Sequence, residues 1–252
     1  IVAAQNEQKA MCILGSMYLF GKGVKQDYSK AKYYYELSAK SYNLESLTTL
    51  GFMHLNSIGV NKDIEMAIHY FTLAANLGDF RAIYALGIIY SNEMAIMDYV
   101  RAIYYFELLA KQNNPIGYNY LGYLYAFSPG IKHNYNKAKG YFELAANLNY
   151  IEAFYHLANL YYDGLGVKKD YHKARKYYEI ASKQNNSYAY YYFGMIYIKG
   201  YGVEINYKIA KKYFELSAQL NNPTALFRLG SMYSSGEYQE YDIKKAIKYF
   251  KK

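Results

Sequence analysis

In 252 residues the sequence has one cysteine, three prolines and no tryptophan. A lone Cys12 excludes an intrachain disulfide framework and favours a reducing compartment such as the cytoplasm. So little proline argues for uninterrupted helices joined by short turns. No run is long and apolar enough to span a membrane. Of the five histidines, His54, His69, His133, His156 and His172, no pair has ligand spacing with a carboxylate or thiol partner, so no metal and no cofactor is expected. What the chain has in plenty is tyrosine, 37 residues, and positive charge, 29 Lys and Arg against 20 Asp and Glu, for a net charge of +9. With 53% apolar residues it is a folding sequence rather than a disordered one.

The strongest signal is repetition. "FGKGVKQDYSKAKYYYELSA" (20–39), "YYDGLGVKKDYHKARKYYEIA" (161–181) and "KGYGVEINYKIAKKYFELSA" (199–218) are variants of one string. A small residue after an apolar one recurs at Gly15, Gly51, Gly87, Gly122, Ala158, Gly194 and Gly230, at intervals of 36, 36, 35, 36, 36 and 36. An alanine recurs with the same period at Ala31, Ala67, Ala102, Ala138, Ala174, Ala210 and Ala246. Seven copies follow, over approximately 8–43, 44–79, 80–114, 115–150, 151–186, 187–222 and 223–252, forming a single array that grows as a line. Ile1 to Gln5 read as the tail of a preceding helix, and "KKAIKYFKK" stops inside a helix of the same type. The expectation is a window cut from a longer protein.

Within a copy the apolar period is helical. In the fifth, Ala153, Leu157, Leu160 and Tyr161 make one stripe, predicting a helix A over 151–163. Asp170 then stands as N-cap of a helix B carrying Tyr171, Ala174, Tyr177, Tyr178 and Ala181. The cap slot holds Asp27, Asp63, Asp98, Asn134, Asp170, Asn206 and Asp242, all good capping residues. Asn185 or Asn186 is placed to take a left-handed turn after helix B. The small residue marks the closest approach of the two helices, and the alanine of helix B is expected to face it. The ring four residues on (Tyr35, Phe71, Phe106, Phe142, Tyr178, Phe214, Phe250) shares the alanine's face.

Leu-Gly-x-x-Tyr, then Gly-x-Gly-Val, then Asp-x-x-x-Ala and Tyr-Tyr-Glu-x-Ala, resembles the Sel-1-like repeat, a relative of the tetratricopeptide repeat, over essentially residues 8–252. Copies three ("SNEMAIM") and seven ("SSGEYQEY") depart from it by lacking the Gly-x-Gly-Val loop. The resemblance implies an all-α, right-handed α/α superhelix, a solenoid of about seven helix-turn-helix repeats of 36 residues. It also implies a non-enzymatic scaffold or adaptor that binds other proteins. Some bacterial members carry a cysteine pair in each repeat; this chain does not, which sets that disulfide-stapled subtype aside.

Three features mimic active-site chemistry. A phosphate-binding Gly-x-Gly needs a strand before it and a Lys-Ser/Thr or further glycine after it. Here a helix precedes, so the glycines are expected to supply positive φ to a turn. Glu36, Glu107, Glu143, Glu179 and Glu215 recur at one repeat position. A rod spreads them apart, whereas acid–base catalysis needs two at one point, so a helix-surface ion pair or an inter-repeat hydrogen bond is expected at each. Lysines concentrate on helix B: Lys137 and Lys139; Lys173, Arg175 and Lys176; Lys208, Lys211 and Lys212; Lys244, Lys245 and Lys248. A solvated outer face is the expected meaning. The alternative is RNA or anionic-surface binding through that face. Pentatricopeptide repeats have a similar period and read RNA, but lack this Gly-x-Gly insert and the Asp-capped alanine, so nucleic acid is the less favoured partner.

By analogy with tetratricopeptide geometry, helix A lines the concave side, with outward slots three before, one after and four after the small residue. These slots vary between copies. They contain Tyr84, Asn119, Tyr123, Tyr155, Asn159, Tyr162, Tyr191 and Met195 in copies three to six. Tyrosine offers a large rigid face with a hydroxyl, and asparagine can clamp an extended backbone by donating and accepting together. These eight are the candidate partner-binding residues, for an extended or helical protein segment in the groove.

Overall fold

A computed structural model describes the backbone of residues 2–236 and 241–252 and the side chains from Glu7 onward. The turn of the seventh copy at 237–240 lies outside the described residues. Fourteen helices and no strand are present among the described residues, alternating A and B. The A helices are α1 (Val2–Phe20), α3 (Leu44–Leu55), α5 (Phe80–Asn92), α7 (Pro115–Phe127), α9 (Ile151–Asp163), α11 (Ser187–Lys199) and α13 (Pro223–Ser235). The B helices are α2 (Tyr28–Ala39), α4 (Ile64–Asn76), α6 (Tyr99–Lys111), α8 (Tyr135–Asn147), α10 (Tyr171–Ser182), α12 (Tyr207–Gln219) and α14 (Ile243–Phe250). They form two compact units, Ile1–Asn113 with three helix pairs and Asn114–Lys252 with four. Within each unit an A helix packs on its own B helix, and that B helix packs on the next A helix. Successive A helices also touch, α3 with α5 and α7 with α9.

Local chemistry sets the boundaries. All seven predicted caps accept a first-turn backbone N–H with the side chain, as Asp170 does from Lys173 at 2.9 Å and Asn206 from Ile209 at 3.0 Å. The same seven residues donate their own N–H to a carbonyl of the preceding helix A, nine residues earlier in six copies, as from Asp27 to Tyr18 at 3.0 Å, and eight earlier in the shortened third copy, from Asp98 to Tyr90 at 2.8 Å. That bond ties the start of helix B back onto helix A and closes the loop. Gly164 and Gly166 have φ of +74° and +67°, so the Gly-x-Gly pair makes a turn. Asn185 takes the left-handed conformation after helix B, at φ +60°, while Asn186 caps α11.

What stands nearest the small residue is the ring of helix B. A Cβ built on Gly51, Gly122 or Gly194 would lie 2.5–2.6 Å from Phe71, Phe142 or Phe214. The expected alanine facing is therefore corrected. Ala31, Ala67, Ala102, Ala138, Ala174, Ala210 and Ala246 are fully buried, but the ring reaches past them to lie against the glycine backbone. Against Tyr35 the corresponding distance at Gly15 is 2.9 Å. The one copy with alanine here, Ala158, also has a tyrosine ring, Tyr178.

A second layer of rings explains the abundance of tyrosine. In every copy the aromatic three residues after the small one stacks on the aromatic just before the core ring. The pairs are Tyr18–Tyr34, His54–Tyr70, Tyr90–Tyr105, Tyr125–Tyr141, Tyr161–Tyr177, Tyr197–Tyr213 and Tyr233–Tyr249, with centroids 5.6–6.0 Å apart. His54 thus fills a tyrosine slot, buried at 7% exposure. Lys30, Arg101, Lys137, Lys173 and Lys245 lie over the A-helix ring of their pairs at 4.0–5.3 Å. These basic residues of the first turn of helix B therefore do more than solvate an outer face.

The core rings are not equally buried: Phe250, in the seventh copy, is 50% exposed, whereas Phe142 is fully buried. Phe142→Ala is expected to cost about 3–5 kcal/mol, as full burial dictates. Phe250→Ala should cost well under half of that. Urea unfolding of both variants, followed by circular dichroism, checks the contrast.

Candidate functional site

Within the second unit two core rings, Phe142 and Tyr178, are each covered by the next copy. The covering residue sits two before the small residue. His156 lies on Phe142 at 4.8 Å with planes 20° apart, and Tyr192 on Tyr178 at 5.1 Å and 4°. Around the second of these contacts a cluster forms within the second unit. Tyr155 lies 5.7 Å from Tyr188 and 6.1 Å from Tyr192. Tyr162 lies 5.2 Å from Tyr192 and 5.7 Å from Tyr201, and Tyr201 stacks on Tyr171 at 4.1 Å.

Hydroxyls link these rings. Tyr178 Oη donates to Asn159 Oδ1 at 2.6 Å. Asn159 also hydrogen-bonds Tyr155, which in turn hydrogen-bonds Tyr192. Burial raises the pKa of Tyr155, Tyr162 and Tyr178, and that of Tyr192 to about 12. All four stay neutral donors at physiological pH. In the first copy Tyr35 is served in the same way by Ser16 and Thr49. Where the core ring is Phe71, Phe106, Phe142 or Phe214, the slot after the small residue holds Phe52, Ile88, Tyr123 or Met195. Part of the variation in that slot therefore follows the chemistry of the core ring.

The eight candidate residues are distributed unevenly. Tyr155, Asn159 and Tyr162 come together in the cluster. Tyr191 and Met195 pack beside Phe214 in the next copy. Tyr123 touches His156 at 5.8 Å, and Tyr84 belongs to the first unit. Tyr123, at 43%, is the exposed one of the eight; Asn119 is buried at 5%, and the other six are half-buried. The Oδ1 of Asn119 has no hydrogen-bond partner among the described residues. The slots three before and four after the small residue also bury Cys12, Thr48, Leu19, Ala126 and Ile198 between helices, so those slots are less outward than tetratricopeptide geometry implies. Sequence reasoning missed Tyr188, 46% exposed, and the covering slot that holds His156 and Tyr192. The 36-residue register gives that slot, two before the small residue, but aromatic identity alone does not separate it from its neighbours.

Among the described residues no group of three potential metal ligands exists, and no helix is long and apolar enough to cross a membrane. Three of the five glutamates of the series make surface ion pairs: Glu36 with Lys32 at 3.2 Å, Glu143 with Lys139 at 2.9 Å and Glu179 with Lys183 at 3.3 Å.

The family profile described as Sel1 repeat matches residues 8–43, 45–79, 81–114, 115–150, 151–186, 187–222 and 223–252. A Sel1 repeat protein from Oxalobacter formigenes is 26% identical, with a TM-score of 0.79, over 93% of this chain and 95% of its own. The protective antigen c5321 of uropathogenic Escherichia coli, which displays an SLR fold, is 28% identical with a TM-score of 0.74. That match covers 99% of this chain and 54% of the antigen, so the chain spans about half the antigen's length. A putative Sel1 repeat protein from Klebsiella pneumoniae, 20% identical with a TM-score of 0.51 over 77% of this chain and 95% of its own, shares the fold. No curated protein sequence matches the chain.

Two predictions arise from these covered rings. Enclosure by Phe142, Phe127, Tyr123 and Tyr155 pushes His156 down to about 4 from an ordinary value near 6.5. The folded chain thus resists a proton that the unfolded chain accepts. The stability contributed by the neutral ring is full above about pH 6.5, falls as pH drops toward 4 and falls no further below that. His156→Phe should remove a loss on the order of 2–3 kcal/mol across that window, read as the change in unfolding midpoint between pH 7 and pH 4. Tyr178→Phe and Asn159→Met should each cost about 1–2 kcal/mol by orphaning a partner, and the double variant less than their sum. A double-mutant cycle in urea measures that coupling.

Proposed function

The chain belongs to the Sel1 repeat family, whose members are generally protein-interaction scaffolds, and we propose that it is a non-enzymatic scaffold binding a protein segment along its A-helix face. The observation that carries this reading is the tyrosine cluster of the second unit. Tyr123 and Tyr188 are exposed beside half-buried Tyr155, Tyr162, Tyr191 and Tyr192, and all of these project from A helices. Rings held by stacking and by the Asn159 hydrogen bonds are rigid before a partner arrives, which lowers the entropy cost of binding. The chemistry suits an extended or helical segment presenting apolar side chains and backbone amides to ring faces and hydroxyls.

Tyr155 and Asn159 serve the fold as well as the surface, so exposed positions make the cleaner test. A photo-crosslinking residue at Tyr123 or Tyr188 is expected to capture a discrete protein partner in an extract of the source cells. The same residue at Lys212, on helix B, should not capture that partner. Capture that survives high salt fits a ring-lined surface. Capture from Lys212 alone, lost in salt, would transfer the interaction to the basic helix B face.

A further inference from the structure

The positive charge of the chain is confined to one unit. Residues 1–113 contain ten Lys and Arg and ten Asp and Glu, whereas residues 114–252 contain nineteen and ten. The second unit therefore carries the whole net charge of +9. Part of that charge surrounds a surface cavity of about 730 Å³ at the loop end of α10, lined by Lys139, Lys168, Lys169, His172 and Lys173 with the rings of Tyr161 and Tyr171 and one carboxylate, Asp170.

We propose that this cavity binds a ligand bearing several phosphate groups, free in solution or displayed as a lipid headgroup. Lys168 and Lys169 are exposed and have no ion-pair partner among the described residues. In three other copies the basic residue three after the cap reaches its cap carboxylate: Lys30 with Asp27, Arg101 with Asp98 and Lys245 with Asp242, at 3.3–3.7 Å. Lys173 lies over the Tyr161 ring at 5.1 Å, as those three do over theirs, but makes no ion pair with Asp170 among the described residues. The acids nearby are already engaged or peripheral. Asp170 caps α10, Glu143 pairs with Lys139, and Asp163 lies near Lys169.

The loop that carries the lysines is fixed rather than loose. Gly164 and Gly166 hold it at positive φ, the side chain of Lys169 lies against Gly164, and the Asp170 N–H is bound to the Tyr161 carbonyl at 2.9 Å. Ammonium groups fanned around a concave, preset site favour clustered anionic oxygens over a single ion. The rings decide against a nucleic acid. Tyr161 has Tyr177 stacked near it at 5.9 Å and Lys173 over its ring. Tyr171 is stacked on Tyr201 at 4.1 Å, with Lys169 over its ring at 5.9 Å. Both rings are already engaged by a stacked tyrosine and a lysine, whereas single-stranded nucleic-acid binders present rings on which bases stack. This site meets the A-helix cluster at Tyr171 but does not depend on the scaffold reading.

The test is calorimetric titration of the 252-residue chain with inorganic tripolyphosphate and with inositol hexakisphosphate at physiological ionic strength. Saturable one-to-one binding is expected. Lys168→Gln with Lys169→Gln should weaken it by roughly tenfold or more, whereas Lys208→Gln with Lys212→Gln, which removes the same charge elsewhere on the unit, should change it by less than about twofold. Sedimentation with phosphatidylcholine vesicles, with and without phosphatidylinositol bisphosphate, separates the sources. Headgroup-dependent pelleting competed by inositol hexakisphosphate assigns the lipid, and soluble binding without pelleting assigns a free phosphate. Absence of saturable binding overturns the proposal. So does an equal loss in the two double variants, or a single-stranded RNA that binds more tightly and is indifferent to Lys168 and Lys169.

Discussion

An aromatic ring pressed against a stretch of backbone that has no side chain sets the distance between the two helices of each repeat. With Phe71, Phe142 or Phe214 in place, even a methyl on the opposing glycine would come within 2.6 Å of ring carbon. That approach fixes where helix A and helix B cross. The cap-to-carbonyl hydrogen bond then fixes how the loop returns, and the stacked pair outside the core sets the rotation of one helix about the other. Within the second unit His156 and Tyr192, each two before a small residue, cover the rings of the preceding copy, Phe142 and Tyr178. There one ring governs the inside of a repeat and the join between repeats, and period and packing are one constraint seen at two scales.

The tyrosine copies show how much freedom that constraint leaves. A hydroxyl on a buried ring must find a partner. Tyr35 finds Ser16 and Thr49, and Tyr178 finds Asn159. Where Tyr178 stands, the opposing residue is Ala158 in place of glycine, consistent with the longer approach seen between Tyr35 and Gly15. In the fifth copy Tyr178, Ala158 and Asn159 form a matched set, so exchanging Tyr178 alone leaves Asn159 without its core partner.

Much of the fold was readable because repetition averages out local ambiguity. Seven aligned acidic or amide residues ahead of a helical stripe identify N-caps more firmly than any one of them does, and the helices of the fifth copy lie where the pattern puts them, at Ile151–Asp163 and Tyr171–Ser182. The A-helix surface was harder to read. Position along a helix gives direction only to within one residue of a turn, and Tyr191 and Tyr192 are adjacent tyrosines that cover different rings, Phe214 and Tyr178. Asn159 and Asn119 illustrate the other limit. Composition marks both as polar and variable, yet one is drawn toward a core hydroxyl and the other is buried. Neither fate can be read without knowing which side chain lies across the interface.

The paired tyrosines also give the molecule an optical character. With no tryptophan to act as a sink, excitation absorbed by one phenol ring passes to a neighbour whose centroid lies within about 6 Å, as in Tyr18–Tyr34 or Tyr233–Tyr249. Near-parallel rings at that distance couple strongly enough to depolarise emission and to give circular dichroism in the aromatic absorption band. Unfolding parts the rings, so the near-ultraviolet signal reports whether these pairs are packed.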